Sequence, residues 1–139
     1  MRTGKDLRVY SMTWNMGGSN QTVFKSPEII LPGIDTFDLV LICAQECPKK
    51  FKTKRASEIE QLMNEAGFTS IATEFLDMWE MFLLCFVKRD LFEQVANVSA
   101  MKLAKGAMKG MIGNKGCIAY NFTLMNRHFN VIATHLKHG

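Results

Sequence analysis

The sequence predicts a layered α/β fold in which about seven short, largely antiparallel strands outnumber a single helix. Three observations carry that expectation. Apolar runs of strand length recur along the chain, the longest covering residues 81–87, and none approaches the roughly 20 residues of a membrane span. One segment alone places its apolar residues at helical spacing. Stretches rich in Gly, Pro and Asn separate these runs and supply the turns. A length of 139 residues allows one domain, and 47% apolar against 22% charged residues is a globular balance rather than a disordered one.

Residues 8–14 are β-prone and end at Asn15-Met16-Gly17-Gly18, which reads as a strand running into a turn. Residues 19–32 form a polar loop, broken by Pro27, Pro32 and Gly33. Residues 38–44 are a continuous apolar run, the pattern of a strand covered on both faces, and it ends at Gln45-Glu46. A helix is expected over residues 54–66, with Ile59, Leu62, Met63 and Ala66 on one face and Gly67 as its C-cap. Residues 68–76 and 80–87 then read as two strands joined around Asp77, and residues 91–102 as a turn and a further strand. Residues 106–116 form a loop with four glycines, followed by a strand pair over 115–124 and 128–135 that turns at Met125-Asn126-Arg127.

The net charge of +4 is unevenly placed. Five of the seven residues from 49 to 55 are basic, and Lys102, Lys105, Lys109 and Lys115 recur through the glycine-rich stretch. Clustered positive charge favours an anionic partner, although the first cluster also suits a solvated helix start. The cysteines (Cys43, Cys47, Cys85, Cys117) show no CxxC pair and no zinc spacing, so they read as reduced core residues. The first six residues hold no apolar stretch of the signal-peptide kind, which points to a cytoplasmic protein.

Polar residues follow three apolar strands directly: Trp14-Asn15, Gln45-Glu46 and Thr134-His135. Strand ends are where α/β proteins place their sites, and the recurrence is the signal, because each residue alone also has an ordinary structural explanation. Glu46 is the hard-metal ligand of this set, since Mg²⁺ takes one or two carboxylates together with waters and phosphate oxygens. Asn15 offers a carbonyl oxygen to a metal or its water and an amide to a phosphate. His135 can donate to an anionic phosphate as charge builds during attack. The segment from Lys105 to Gly116 departs from a nucleotide-binding P-loop because Gly116 follows Lys115 and no helix is expected after it. Its glycines let the backbone approach an anion, with Lys109 and Lys115 as point charges.

With these residues in place, the chain resembles the inositol polyphosphate 5-phosphatases of the endonuclease/exonuclease/phosphatase superfamily. Thr13-Trp14-Asn15, Gln45-Glu46, Gly113-Asn114-Lys115-Gly116 and Thr134-His135-Leu136 occur in that family's order and approximate spacing. The Asn and Glu motifs are shared across the superfamily, whereas the G-N-K-G strand entry followed by T-H-L is more specific to 5-phosphatases. The resemblance implies a DNase I-like α/β sandwich of two mostly antiparallel sheets and a Mg²⁺-dependent hydrolase. It would remove the 5-phosphate from phosphoinositide lipids or soluble inositol polyphosphates. Carried over by motif, Glu46 is the metal ligand, with Asn15 beside the metal and scissile phosphate as catalytic residue and metal contact. His135 is a phosphate-contacting catalytic residue. Asn114 and Lys115, and with them Lys109, belong to the inositol-phosphate pocket. Lys137-His138-Gly139 departs from the small residues that the family carries there.

Family members also use a G-D-x-N-like segment, a W-C-D-R-like segment and a terminal aspartate-histidine pair, none of which occurs here. The expectation is therefore that residues 1–139 are the N-terminal part of one catalytic domain, incomplete at the C-terminus. The second sheet would be largely absent, an edge would lie unpaired, and the chain alone would show little phosphatase activity. Two other readings stay open: another superfamily hydrolase such as a nuclease, though no nucleic acid is the expected substrate, and a non-catalytic phosphoinositide-binding fragment. Met101, Leu103, Met108, Met111 and Ile112 alternate with lysines, a pattern that suits either hairpin packing or peripheral contact with an anionic membrane.

Overall fold

The computed structural model describes residues 6–18, 33–72, 74–105 and 115–136. Its elements, in chain order, are β1 (Val9–Asn15), β2 (Leu39–Gln45), α1 (Lys49–Glu65), β3 (Phe68–Ser70), β4 (Leu76–Met78), β5 (Met81–Lys88), β6 (Val95–Lys105), β7 (Lys115–Leu124) and β8 (Arg127–His135), with short 3-10 turns at Ile34–Thr36 and Arg89–Gln94. The first sheet runs β1-β2-β5-β3, with β4 also on β5, and the second runs β6-β7-β8. Among the described strands only β1 and β2 pair in parallel, so both sheets are mostly antiparallel, as the sequence suggests.

Two apolar layers hold these sheets together, and strand parity assigns residues to each. On β2 and β5, Val40, Ile42, Ala44, Phe82, Leu84 and Phe86 face α1, where they meet Ala56, Ile59 and Met63. The alternate residues Leu39, Cys43, Leu83, Cys85 and Val87 face the second sheet and meet Ile118, Tyr120, Phe122, Leu124 and Ala133. Each fully buried side chain of this size contributes about 1.5–3 kcal/mol through its transfer from water. Burial on both faces explains why β2 and β5 read as unbroken apolar runs. Tyr120, although 2% exposed, satisfies its hydroxyl by donating to the Glu74 carbonyl at 3.0 Å, and burial pushes its pKa upward. The four cysteines are free, and burial pushes the Cys43 thiol up to about 11.

Several boundaries differ from the sequence reading for identifiable reasons. Helix α1 begins at Lys49, directly after Pro48, rather than at residue 54. Its buried stripe is Lys52, Arg55, Ala56, Ile59 and Met63, so two basic residues occupy positions that a pattern of apolar residues would skip. Lys52 and Arg55 are 8% and 3% exposed, which rules out a wholly solvated start for that cluster. The expected strand over 68–76 is two three-residue strands, β3 and β4, both antiparallel to β5. Asp77 lies inside β4, and the reversal falls at Trp79-Glu80, between the paired Met78 and Met81, with Trp79 at φ 51°. The β7–β8 turn is two residues long, Met125 and Asn126 with φ 50° and 60°, the conformation of a type I′ hairpin, so Arg127 belongs to β8.

The largest correction concerns the second sheet. It is not largely absent: β6, β7 and β8 form an antiparallel three-stranded layer. Among the described residues β8 pairs with β7 alone, and the second-sheet side of β1 (Val9, Ser11, Thr13, Asn15) is exposed. Among the described residues no helix is long and apolar enough to cross a membrane.

Candidate active site

Pairing register brings the three polar strand ends to one rim. Asn15 pairs with Gln45 at the C-terminal ends of β1 and β2, and His135 pairs with Gly116 where β8 ends beside the start of β7. The sheets meet across this rim through the Gln45 side chain, whose Nε2 donates to the Thr134 carbonyl at 2.5 Å. Glu46 and His135, each the next residue after those anchors, face one another with Oε1 and Nε2 3.6 Å apart. That separation exceeds a hydrogen bond but is an ion-pair distance whenever the imidazole is protonated. The His135 side chain is 12% exposed and that of Glu46 is 37% exposed, so the acid is open to solvent while the histidine is sheltered.

Local backbone geometry fixes the Glu46 side chain. Its φ of 52° is left-handed, a conformation that costs a non-glycine residue about 1–3 kcal/mol and persists only where the surroundings enforce it. Two main-chain bonds do so: Met16 N–H donates to Gln45 O and Gly18 N–H to Glu46 O, each at 2.8 Å. The turn after β1 is closed in turn by Asn15, whose Oδ1 accepts the Gly17 N–H at 2.9 Å. Gly17 and Gly18 both have positive φ, and an added Cβ would meet nothing within 4 Å, so backbone conformation and not space calls for glycine. Because Asn15 Oδ1 serves the turn, its Nδ2 amide is the group best suited to donate to a phosphate.

The donor set suits a hard cation. Among the described residues no group of three or more His, Cys, Asp or Glu could hold a metal, which excludes a closed, zinc-like cage among them. A single solvent-open carboxylate, Glu46, fits a Mg²⁺-type ion that keeps most of its coordination as water and phosphate oxygen. Lys115 begins β7 opposite Lys105, one residue from the Gly116–His135 row, so the backbone places it on the same rim. Asn114 and Lys109 lie outside the described residues.

Below the rim, a cleft of about 150 Å³ opens between β1–β2 and β8, lined among others by Ser11, Thr13, Cys43, Gln45, Val131 and Thr134. A second, unanticipated cluster lies at the β4 edge. Lys52 donates to the Trp79 carbonyl at 2.5 Å and pairs closely with Asp77, which Lys102 also approaches at 3.5 Å. Burial pushes the Asp77 carboxyl up, but the Lys52 hydrogen bond and the charges of both lysines outweigh it and hold the pKa below its usual value.

Gln45 and Asp77 are the residues whose roles sequence reasoning missed. Each had a signal. Gln45 continues the row Leu39, Leu41, Cys43 that faces the second sheet, and a polar residue ending such a row calls for a partner across the layer. Asp77 is a lone acid between the apolar Leu76 and Met78, and an acid so placed calls for a cationic partner. Of the apolar residues expected to alternate with lysines, Met101 and Leu103 are 54% and 62% exposed on β6 and are not core, whereas Met108, Met111 and Ile112 fall outside the described residues.

Comparison with known proteins agrees with this architecture. The sequence model of the Endonuclease/Exonuclease/phosphatase family 2 matches residues 12–139. No curated protein matches the chain by sequence. Among solved structures, the inositol polyphosphate 5-phosphatase domain of SPsynaptojanin, in complex with inositol (1,4)-bisphosphate and calcium ion, superposes with a TM-score of 0.76 at 18% identity, over 97% of this chain and 41% of that one. Cimex nitrophorin, as its ferrous NO complex, gives 0.71 at 16% identity over 94% of this chain and 47% of that one. ANGEL2, a 2',3'-cyclic phosphatase in complex with adenosine-2',3'-vanadate, gives 0.50 at 15% identity over 84% and 33%. The chain thus spans less than half the length of each of these structures. At such identities they establish the fold, and chemistry as different as phosphate-ester and NO binding on that fold means that function must be argued from the site.

Proposed function

The chain belongs to the endonuclease/exonuclease/phosphatase family, and from that premise we propose that its rim binds the metal and phosphate of a Mg²⁺-dependent phosphomonoesterase. The substrate proposed is an inositol polyphosphate or a phosphoinositide lipid, and the group removed is the 5-phosphate. The observation that carries this reading is the convergence of Asn15, Glu46 and His135 on one rim, with Glu46 in a left-handed backbone conformation and its Oε1 3.6 Å from His135 Nε2. The 5-phosphatase motif Gly113-Asn114-Lys115-Gly116, which leads into β7 on that rim, narrows the substrate from phosphate esters in general to inositol phosphates.

Each residue then has a distinct task. Glu46 holds the cation, which when bound draws charge from the phosphate oxygens. The Asn15 amide orients a phosphate oxygen beside it. His135, paired electrostatically with Glu46, presents Nε2 as a donor to the same phosphate and stabilises the charge that grows there. Lys115, with Asn114 and Lys109, contributes charge and hydrogen bonds toward the other ring phosphates. On this reading residues 1–139 belong to one catalytic domain working in the cytoplasm, where exposed Met101 and Leu103, on either side of Lys102 in β6, suit peripheral contact with an anionic membrane.

The test is phosphate release from inositol polyphosphates with and without a 5-phosphate, in Mg²⁺ or EDTA, beside DNA and RNA cleavage under the same conditions. Release that needs both the 5-phosphate and Mg²⁺, and that Glu46→Gln abolishes, supports the proposal. Mg²⁺-dependent cleavage of nucleic acid with no response to inositol phosphates would replace it with a nuclease reading.

A further inference from the structure

We propose that Gln45 is a positioning residue, whose cross-sheet hydrogen bond sets the Glu46 carboxylate and the His135 imidazole at the spacing that serves one bound cation and its phosphate. The inference rests on the metal-site reading above. Glu46 follows β2 of the first sheet and His135 ends β8 of the second, so strand pairing within one sheet does not by itself set the distance between them. The Gln45 carboxamide spans that gap, donating to the Thr134 carbonyl at 2.5 Å, across 89 residues of sequence. Each anchor is one peptide unit from the functional side chain it controls, so a displacement at the anchor passes almost undiminished to the 3.6 Å gap between Glu46 and His135.

Geometry around Gln45 supports a positioning role over simple packing. Its own carbonyl accepts Met16 N–H and pairs the end of β2 with the Asn15 turn, so one residue ties all three polar strand ends together. The cleft of about 150 Å³ beneath it leaves space between β1–β2 and β8, and apolar contact alone therefore does not fill the interval that the carboxamide bridges. Chemistry selects glutamine here. The donor must reach a main-chain carbonyl, which a carboxylate of the same length would repel and a methionine of the same length could not bond.

Gln45→Met and Gln45→Glu test this in the full chain, with Mn²⁺ as the probe cation and free Mn²⁺ followed by electron paramagnetic resonance. Residues that orient a metal ligand change affinity by about 10–100-fold when lost, and both variants are expected to weaken Mn²⁺ binding by that factor. The Gln45→Met melting temperature should stay within about 3 °C of wild type, the shift expected from one hydrogen bond in a domain of this size. Wild-type-like Mn²⁺ affinity in Gln45→Met, at a site that Glu46→Gln abolishes, overturns the positioning role and leaves the metal site standing. Wild-type Mn²⁺ binding that ignores Glu46→Gln removes both. Should a variant melt early, the titration is repeated in a stabilising osmolyte: recovery of full affinity there means that Gln45 acts only through stability, and the proposal fails.

Discussion

Replacing Glu46 by glycine and, separately, by alanine isolates the backbone strain at the site from its chemistry. Both variants lose the carboxylate and the attraction to His135, so they differ in how readily residue 46 adopts φ 52° and in the freedom of the unfolded chain. A left-handed conformation costs alanine about 1–2 kcal/mol and glycine almost nothing, while glycine's freer unfolded chain returns about 0.4–1 kcal/mol. Glycine should therefore be more stable than alanine by about 0.5–1 kcal/mol. An unfolding entropy of about 2.1 cal/mol/K per residue over 139 residues converts this to a melting temperature roughly 2–3 °C higher. Paired thermal melts, checked by urea midpoints, measure it. A glycine variant no more stable than the alanine variant would refute the idea that the fold forces Glu46 into a strained conformation.

Three further outcomes follow from the packing and electrostatics. Ile118→Ala, at a fully buried position between the sheets, should lower stability by about 2–5 kcal/mol by urea denaturation, and a loss under about 1 kcal/mol would mean the second sheet is not docked as described. Asn126→Gly supplies the residue a type I′ turn favours where φ is 60°, at an exposed position, and should raise stability by a few tenths of a kcal/mol while leaving the Met125 packing intact; a loss would argue against that turn. Asp77 titrates below its ordinary value in the fold, so its contribution is present above the unfolded carboxyl pKa and lost as pH falls through the lower folded value. Asp77→Asn should accordingly be less stable than wild type at neutral pH and converge with it in acid, seen in urea midpoints across pH; parallel profiles would contradict the assignment.

The strands were legible wherever burial was symmetrical. Residues 38–44 and 80–87 read as continuous apolar runs because β2 and β5 are covered on both faces, by α1 and by the second sheet. The start of α1 was hidden because Lys52 and Arg55 take core-facing positions that periodicity reads as polar. The turn residues around Asp77 misled for a related reason: an acid in mid-strand looks like a turn former until its lysine partners are brought beside it from α1 and β6. Asn15, Glu46 and His135 could be named from their places after apolar strands, and register then put them on one rim. What no local pattern carries is the identity of a partner on the other sheet. The Gln45–Thr134 bond joins residues 89 apart, and only the packed sandwich reveals it.

Equilibrium binding of a 5-phosphate-bearing inositol polyphosphate, by isothermal titration calorimetry in Mg²⁺ and in EDTA, tests the metal and phosphate rim most directly because it does not require turnover. The account predicts at least about tenfold tighter binding with Mg²⁺, a gain that Glu46→Gln removes, as expected if that carboxylate would hold the cation beside the phosphate. Binding that is equally strong in EDTA and in the Glu46→Gln protein would contradict it, leaving clustered lysines that attract anions without a metal site.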